Sequence, residues 1–309
     1  MKRETSAKIM MIASMAVFGT IGVFRANINI SSAELALYRG VLALIIIGAF
    51  LLFKRQKIDL RAIGKRLPVL IISGAAIGVN WILLFEAYRY TTVSVATLSY
   101  YFAPVIVTVV CPIIFKEKMG WKQWVCFGAS TVGIVLITGV GALGAGNHLL
   151  GILFGLGAAV FYATVIILNK FVRDVDGIQR TFIQFVSAVA VLIPYVIFTG
   201  GSGLGSLDGG GWACLLVVGL IHTGVTYCLY FTAIKELPGQ KAAILSYIDP
   251  LVAVLCSVII LHEQIEPLQI VGGVLILGFT LWNEIDLPKG RRAKRKEPQA
   301  ENSESNISN

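Results

Sequence analysis

The chain has 309 residues, of which 56% are hydrophobic and only 14% charged, with a formal net charge of +9. A soluble domain carries about 25% charged residues, so this composition excludes an ordinary water-soluble core. The basic excess does not point to nucleic acid, because the Lys and Arg residues sit in short connections between apolar runs and not on one basic face.

A helix-length window predicts ten membrane spans, near residues 7–25, 33–53, 67–88, 92–115, 121–139, 149–170, 180–199, 211–234, 240–261 and 267–284. Crossing the hydrocarbon core takes about 20 mainly apolar residues. The first run is long enough to span, so no cleaved leader is expected. Residues 285–309, rich in Lys, Arg, Ser, Asn and Glu, are expected to form a disordered tail. Cys111, Cys126, Cys214, Cys228 and Cys256 all fall inside apolar runs without a C-x-x-C pair, so neither a disulfide framework nor a zinc site is expected.

Of the 26 Lys and Arg residues, 23 lie in the N-terminus, the even-numbered connections and the tail. The other connections hold only Arg25 and Arg89, at their margins, and Arg39 lies inside the second span. This positive-inside pattern predicts cytoplasmic termini.

A shift of 146 residues places Phe85 on Phe231, Ala87 on Ala233, Ala96 on Ala242, Tyr101 on Tyr247, Pro104 on Pro250 and Glu117 on Glu263. Spans three to five therefore repeat as spans eight to ten. Because each half has five spans, the second must enter the membrane the other way up. Loop charge agrees: residues 116–122, KEKMGWK, are lysine-rich, and residues 262–268, HEQIEPL, hold no Lys or Arg. The expected fold is an all-α integral membrane protein, ten transmembrane helices as two inverted five-helix repeats. The first repeat is residues 1–140, the second 141–284, and the polar tail is 285–309. Inverted repeats are the architecture of secondary transporters, with the solute site near the midplane.

Each half carries Phe-x-Ala (85–87, 231–233), then Ala-x-x-x-x-Tyr-x-x-Pro (96–104, 242–250), then a Glu preceded by a charged or polar residue (Lys116-Glu117, His262-Glu263). This doubled pattern resembles the EamA-type transporters of the drug/metabolite transporter superfamily over nearly all of residues 7–284. The resemblance implies ten helices in a bacterial plasma (inner) membrane, cytoplasmic ends, and transport, often outward, of small organic metabolites. Many relatives have Leu-Gly-Glu where this chain has Phe115-Lys116-Glu117 and Leu261-His262-Glu263, a departure expected to alter local packing.

Polar residues sort by depth at about 1.5 Å per residue. Arg25, Glu34, Glu86 and Arg89 are expected at the outer ends of spans one to three, as an ion-pair cluster with Arg39 one to two turns deeper. Glu86 is expected to pair with Arg39 or Arg89. Arg39 is also the best solute-binding candidate, because a guanidinium forks onto a carboxylate. Asn80, Trp81, Tyr100, Tyr101, His222, Tyr227, Tyr247 and Asp249 fall nearer the middle and are candidates to line a cavity. Ionisable groups there are costly, so Asp249 and His222 carry a functional reading, set against mutual hydrogen bonding or capping. Pro104 and Pro250 are expected helix breaks at matching depth.

Residues 139–144, GVGALG, match G-x-G-x-x-G but follow a span and not a strand, so no nucleotide site is expected. Gly74/Gly78 and Gly151/Gly155 suit close helix contact within the bundle. The expected function is secondary transport of an amino-acid-like or amphipathic solute, with protons as a candidate coupling ion. A passive facilitator or channel is the alternative. No cofactor, metal or nucleic-acid partner is expected, the lipid bilayer is, and both a monomer and a homodimer are compatible. A membrane enzyme is not expected, because His148, His222 and His262 are scattered.

Overall fold

The computed structural model describes residues 2–55, 63–115, 120–138, 146–172, 175–199, 201, 203–237, 242 and 245–284. The expected tail, the 139–144 glycine run and the Lys116-Glu117 pair lie outside the described residues. Among the described residues the regular structure is entirely helical. The helices are α1 (Lys2–Gly19), α2 (Ile21–Ala26), α3 (Ser32–Phe53), α4 (Leu67–Tyr90), α5 (Val93–Tyr100), α6 (Ala103–Phe115) and α7 (Trp121–Thr138). They continue as α8 (Gly146–Asn169), α9 (Gly177–Phe198), α10 (Gly209–Leu216), α11 (Thr226–Glu236), α12 (Ile248–Ile259) and α13 (Pro267–Glu284). A π-helical segment, Val217–Val225, joins α10 to α11.

Seven helical stretches among the described residues are long and apolar enough to cross a membrane. Three shorter apolar helices occupy Trp121–Ile137, Ile248–Ile259 and Pro267–Asn283. Large apolar side chains stand exposed on the outer faces, Phe53 and Phe198 at 85% and 88%. Apolar exposure on this scale suits a surface facing lipid and not water.

The helix starts are written in the chain. Ser31 and Glu34 form a capping box at α3, and Thr92, Asp176 and Asp208 cap α5, α9 and α10 through their side chains. Pro68 lies in the first turn of α4, where no intrahelical N–H is needed.

Packing follows a reciprocal scheme. Helix α1 lies on α11 and α12, while α8 lies on α4 and α5. Helix α3 packs on the π segment, and α9 on α4. Helix α3 also meets α9, α5 meets α12, and α7 meets α13. Loops gather at two ends. At one, Gly203 N–H donates to Glu34 at 2.5 Å, Thr91 bonds His148 at 2.8 Å, and Val93 N–H donates to Glu263 at 2.9 Å. At the other, Ile63 and Leu70 pack with Val172, and Ala7 and Met11 with Leu237 and Ala242.

Small residues let the helices approach. With lipid outside and apolar side chains inside, close van der Waals contact takes over from the hydrophobic effect. A Cβ on Gly74 would run into the Gln184 carbonyl oxygen, and one on Gly151 would stand 2.7 Å from Thr91. Gln184 seals the first of these contacts by donating to Ser73 at 2.6 Å and Asn169 at 2.8 Å.

Gly74→Ala is therefore expected to destabilise the protein by about 1–3 kcal/mol through overpacking. Gly128→Ala, where a Cβ meets nothing within 4 Å, is the matched control. Thermal unfolding midpoints in detergent compare the two. Equal midpoints would remove the close-packing role of Gly74.

Candidate functional site

Arg39 sits in α3 and is 4% exposed. Its Nε donates to Thr223 Oγ1 at 3.1 Å. Its guanidinium carbon lies 4.5 Å from the Trp81 ring centroid and 5.2 Å from that of Phe85. Phe185 braces Trp81 edge-on at 5.0 Å. Cation–π contacts of this kind are worth about 0.5–2 kcal/mol each. Among the described residues no carboxylate lies within ion-pair distance of Arg39. The ring faces and one hydroxyl hold the cation in place without neutralising it.

The π segment makes this possible. Its wider turn lets Thr223 and Thr226 return their hydroxyls to the carbonyls of Val218 and Ile221, five residues back, at 2.8 Å each. Gly219 and Gly224 lie flat against Leu42 and Ile46 of α3. Thr223 is thereby brought to Arg39. Single π turns recur at functional positions because they re-aim side chains in this way.

Asp249 lies in the first turn of α12. Its Oδ2 accepts from the Tyr101 hydroxyl at 2.5 Å, a bond that joins residues 148 apart in the chain. Tyr227 lies within electrostatic range of both Arg39 and Asp249, and Tyr88 within range of Arg39, Asp249 and Glu263. Tyr100 meets Tyr101 edge-on at 5.8 Å and lies tilted against Tyr162 at 5.2 Å. Tyr100, Tyr101, Tyr227 and Asp249 keep partial accessibility although they sit between helices. Arg39 and Asp249 thus share tyrosine neighbours, Tyr227 and Tyr88 among them.

Other expected cavity residues are placed differently. Asn80 donates to the Ala158 carbonyl at 2.6 Å and ties α4 to α8. His222 turns to the start of α2, bonding Thr20 Oγ1 at 2.8 Å and the Val217 carbonyl at 3.3 Å, with Phe24 edge-on at 4.9 Å. Both ring nitrogens are engaged, and neither reaches Asp249. Tyr247 is 8% exposed, at the turn before α12. Pro104 and Pro250 occupy the first turns of α6 and α12. The interruptions precede them, at Tyr101–Phe102 and at Tyr247. A proline there starts a helix and does not kink one, since its missing N–H has no intrahelical partner to lose.

The cluster expected at the outer end is only partly ionic. Arg89 donates to both oxygens of Glu86, at 3.0 and 3.2 Å. Glu34 is 3% exposed and serves backbone, accepting from Ser31 N–H at 3.2 Å and Gly203 N–H at 2.5 Å. Arg25 donates to the Ile28 carbonyl at 2.7 Å. Arg39 lies apart from the group. Glu263 adds itself to this end. Both its oxygens accept from Val93 N–H, at 3.0 and 2.9 Å, and one also accepts from Ser257 Oγ. Ser257 in turn accepts from Ser94 Oγ at 2.7 Å. His262, with φ of +53°, turns the chain that presents Glu263. Arg25, Glu34, Tyr88, Arg89 and Glu263 line a cavity of about 750 Å³.

Sequence reasoning missed Tyr88, Tyr162, Thr223 and the Ser94–Ser257 pair. It had marked Glu263 as a repeat position without a role. Among the described residues no three His, Cys, Asp or Glu side chains cluster closely enough to hold a metal ion.

The model of the EamA-like transporter family matches twice, over residues 5–139 and 149–283. An uncharacterised transporter of Bacillus subtilis, YxxF, is 29% identical over 281 residues, 89% of this chain and 88% of that protein. An uncharacterised transporter of Archaeoglobus fulgidus is 28% identical, over 88% of this chain and 95% of its own length. Protein RarD of Streptomyces exfoliatus is 23% identical over 90% and 89%. A solved structure, described only as a crystal structure of a protein, shares the fold with a TM-score of 0.61 at 15% identity, covering 90% of this chain and 96% of that one.

The Glu86–Arg89 pair is exposed on the Arg89 side, at 51%, against 19% for Glu86. Its contribution is expected to be below about 1 kcal/mol. A Glu86→Ala/Arg89→Ala cycle, read by thermal unfolding, should show coupling of that size, and Glu86→Ala/Arg39→Ala should be additive. Coupling of several kcal/mol in the second cycle would mean that Glu86 neutralises Arg39 after all.

Proposed function

The chain belongs to the EamA-like transporter family, a multi-pass membrane protein built for transport, and from that premise we propose that it is a secondary transporter of a small, amino-acid-like solute. It works by alternating access between two inverted five-helix repeats in a bacterial plasma membrane, with both termini cytoplasmic. The reciprocal packing scheme supports the inverted repeat: exchanging residues 1–140 with 141–284 turns each packing pair into another or into itself. The gathering of loops at two ends agrees with the charge count, since the lysine-poor connections share the Glu263 end.

One observation carries the solute class. Arg39 is buried without an acidic partner among the described residues, and Asp249 faces the same tyrosine lining. An unpaired charge in the membrane interior is costly, and its retention marks a solute pathway. On this reading a zwitterion places its carboxylate on Arg39 and its ammonium on Asp249. Tyr88, Tyr100 and Tyr227 supply an apolar wall for the rest of the solute. The Tyr101–Asp249 bond joins the halves, so a proton or an ammonium group taken up by Asp249 competes with that bond and couples occupancy to rocking.

Proteoliposomes loaded with a panel of α-amino acids, and of the corresponding amines and acids, test this. Arg39→Gln is expected to weaken binding of carboxylate-bearing solutes about tenfold or more, the loss of a charge-assisted hydrogen bond. Asp249→Asn is expected to weaken binding of ammonium-bearing solutes, to leave the corresponding acids less affected, and to lose accumulation driven by a pH gradient. If Asp249→Asn accumulates solute as the parent does, Asp249 is structural. Transport without response to any ion gradient would make the protein a facilitator.

A further inference from the structure

We infer that the cavity at the Glu263 end is a second solute site, in which Arg25 receives a carboxylate before it reaches Arg39. The inference rests on the reading that the solute bears a carboxylate. The cavity, about 750 Å³, falls in the range of roughly 300–1,000 Å³ typical of small-molecule sites.

The charges around it are already spoken for, with one exception. Glu34 accepts from Ser31 and Gly203 at the start of α3. Glu263 accepts from Val93 at the start of α5. Each carboxylate therefore rests on the partial positive charge of a helix N-terminus. Arg89 is occupied by Glu86. Arg25 is only 8% exposed, yet its one hydrogen bond is to the carbonyl of Ile28, and its Nε lacks a partner among the described residues. No acidic group among them lies within ion-pair distance of it. A guanidinium held in a cavity wall with no carboxylate in ion-pair contact is a receptor for a planar anion, because it offers parallel donors to two oxygens.

Tyr88 links this cavity to the interior. It lines the cavity wall, and its ring lies 6.4 Å from that of Phe85, one of the two rings that hold Arg39. Its hydroxyl rests on Thr97 at 3.4 Å, a long contact that a passing solute can break. Arg25 and Arg39 thus form two successive carboxylate stations with Tyr88 between them. The carboxylates of Glu34 and Glu263 beside Arg25 favour a zwitterion over a plain anion.

The test uses the purified full-length protein in detergent, with glycine and sodium acetate as probes against sodium chloride at constant ionic strength. Binding is read as a saturable rise in the thermal unfolding midpoint. Arg39→Gln should retain a saturable response to glycine, stronger than to acetate. Adding Arg25→Gln should weaken that response at least tenfold. Arg25→Lys keeps the charge and should fall between, and midpoints in chloride alone report folding. If Arg39→Gln by itself abolishes the response, there is no second site, while the transport reading stands. If Arg25→Gln/Arg39→Gln responds as Arg39→Gln does, Arg25 is not its receptor, and the inference is wrong. No response in any variant, the parent included, overturns both the second site and the carboxylate reading.

Discussion

The helix between Thr92 and Phe115 is interrupted at Tyr101–Phe102, and much of the architecture depends on how its first, short piece is held. Backbone donors and acceptors have no water to turn to in hydrocarbon, so an interrupted helix must close its bonds within the protein. Here the interruption at Tyr101–Phe102 closes locally, Phe102 N–H donating to Ser99 and Val105 N–H to Phe102. The free start of α5 is closed from two sources. Thr92 takes Val95 N–H, and Glu263 takes Val93 N–H from the other half of the chain. The start of α5 thereby becomes a tie between halves. The same short helix carries Tyr101 to Asp249 and Ser94 to Ser257.

A second constraint is the placement of cations. Arg25 and Arg39 are both buried, and neither has an acidic partner within ion-pair distance among the described residues. Each is held by neutral groups: a carbonyl for Arg25, a threonine and two ring faces for Arg39. Neutral holders fix position and leave the charge uncompensated. That arrangement is poor for stability and good for binding an anion, since bringing in a carboxylate relieves a penalty already present in the empty state. The acids nearby could have neutralised them but are used on helix starts instead.

Depth along the helices was legible in the chain, and direction around them was not. The alternating lysine count separated the loops at the Glu263 end from those at the other, and the spacing of Glu86 and Arg89 allowed the pair that forms. The doubled Tyr-x-x-Pro pattern marked the interruptions at Tyr101 and Tyr247 to within three residues of each proline. These helices are apolar on nearly every face, so no amphipathic stripe says which way Asn80 or His222 points. Asn80 met a carbonyl of α8, and His222 met Thr20 at the start of α2, because tertiary packing offered those partners. The π segment has no local signal beyond small and hydroxyl residues, so Thr223 could not be foreseen as the holder of Arg39.

If the halves rock, the contacts between α5 and the end of α12 must part in every cycle. Ser94 and Ser257 stand 2.7 Å apart at their hydroxyls, close enough for a cysteine pair to bridge. The decisive measurement is solute exchange by Ser94→Cys/Ser257→Cys, with the five native cysteines replaced, before and after oxidation in proteoliposomes. Alternating access predicts that the bridged protein stops exchanging solute and that a reductant restores the parent rate. Undiminished exchange by fully bridged protein would contradict it, and would mean that solute crosses without the two halves separating at this end.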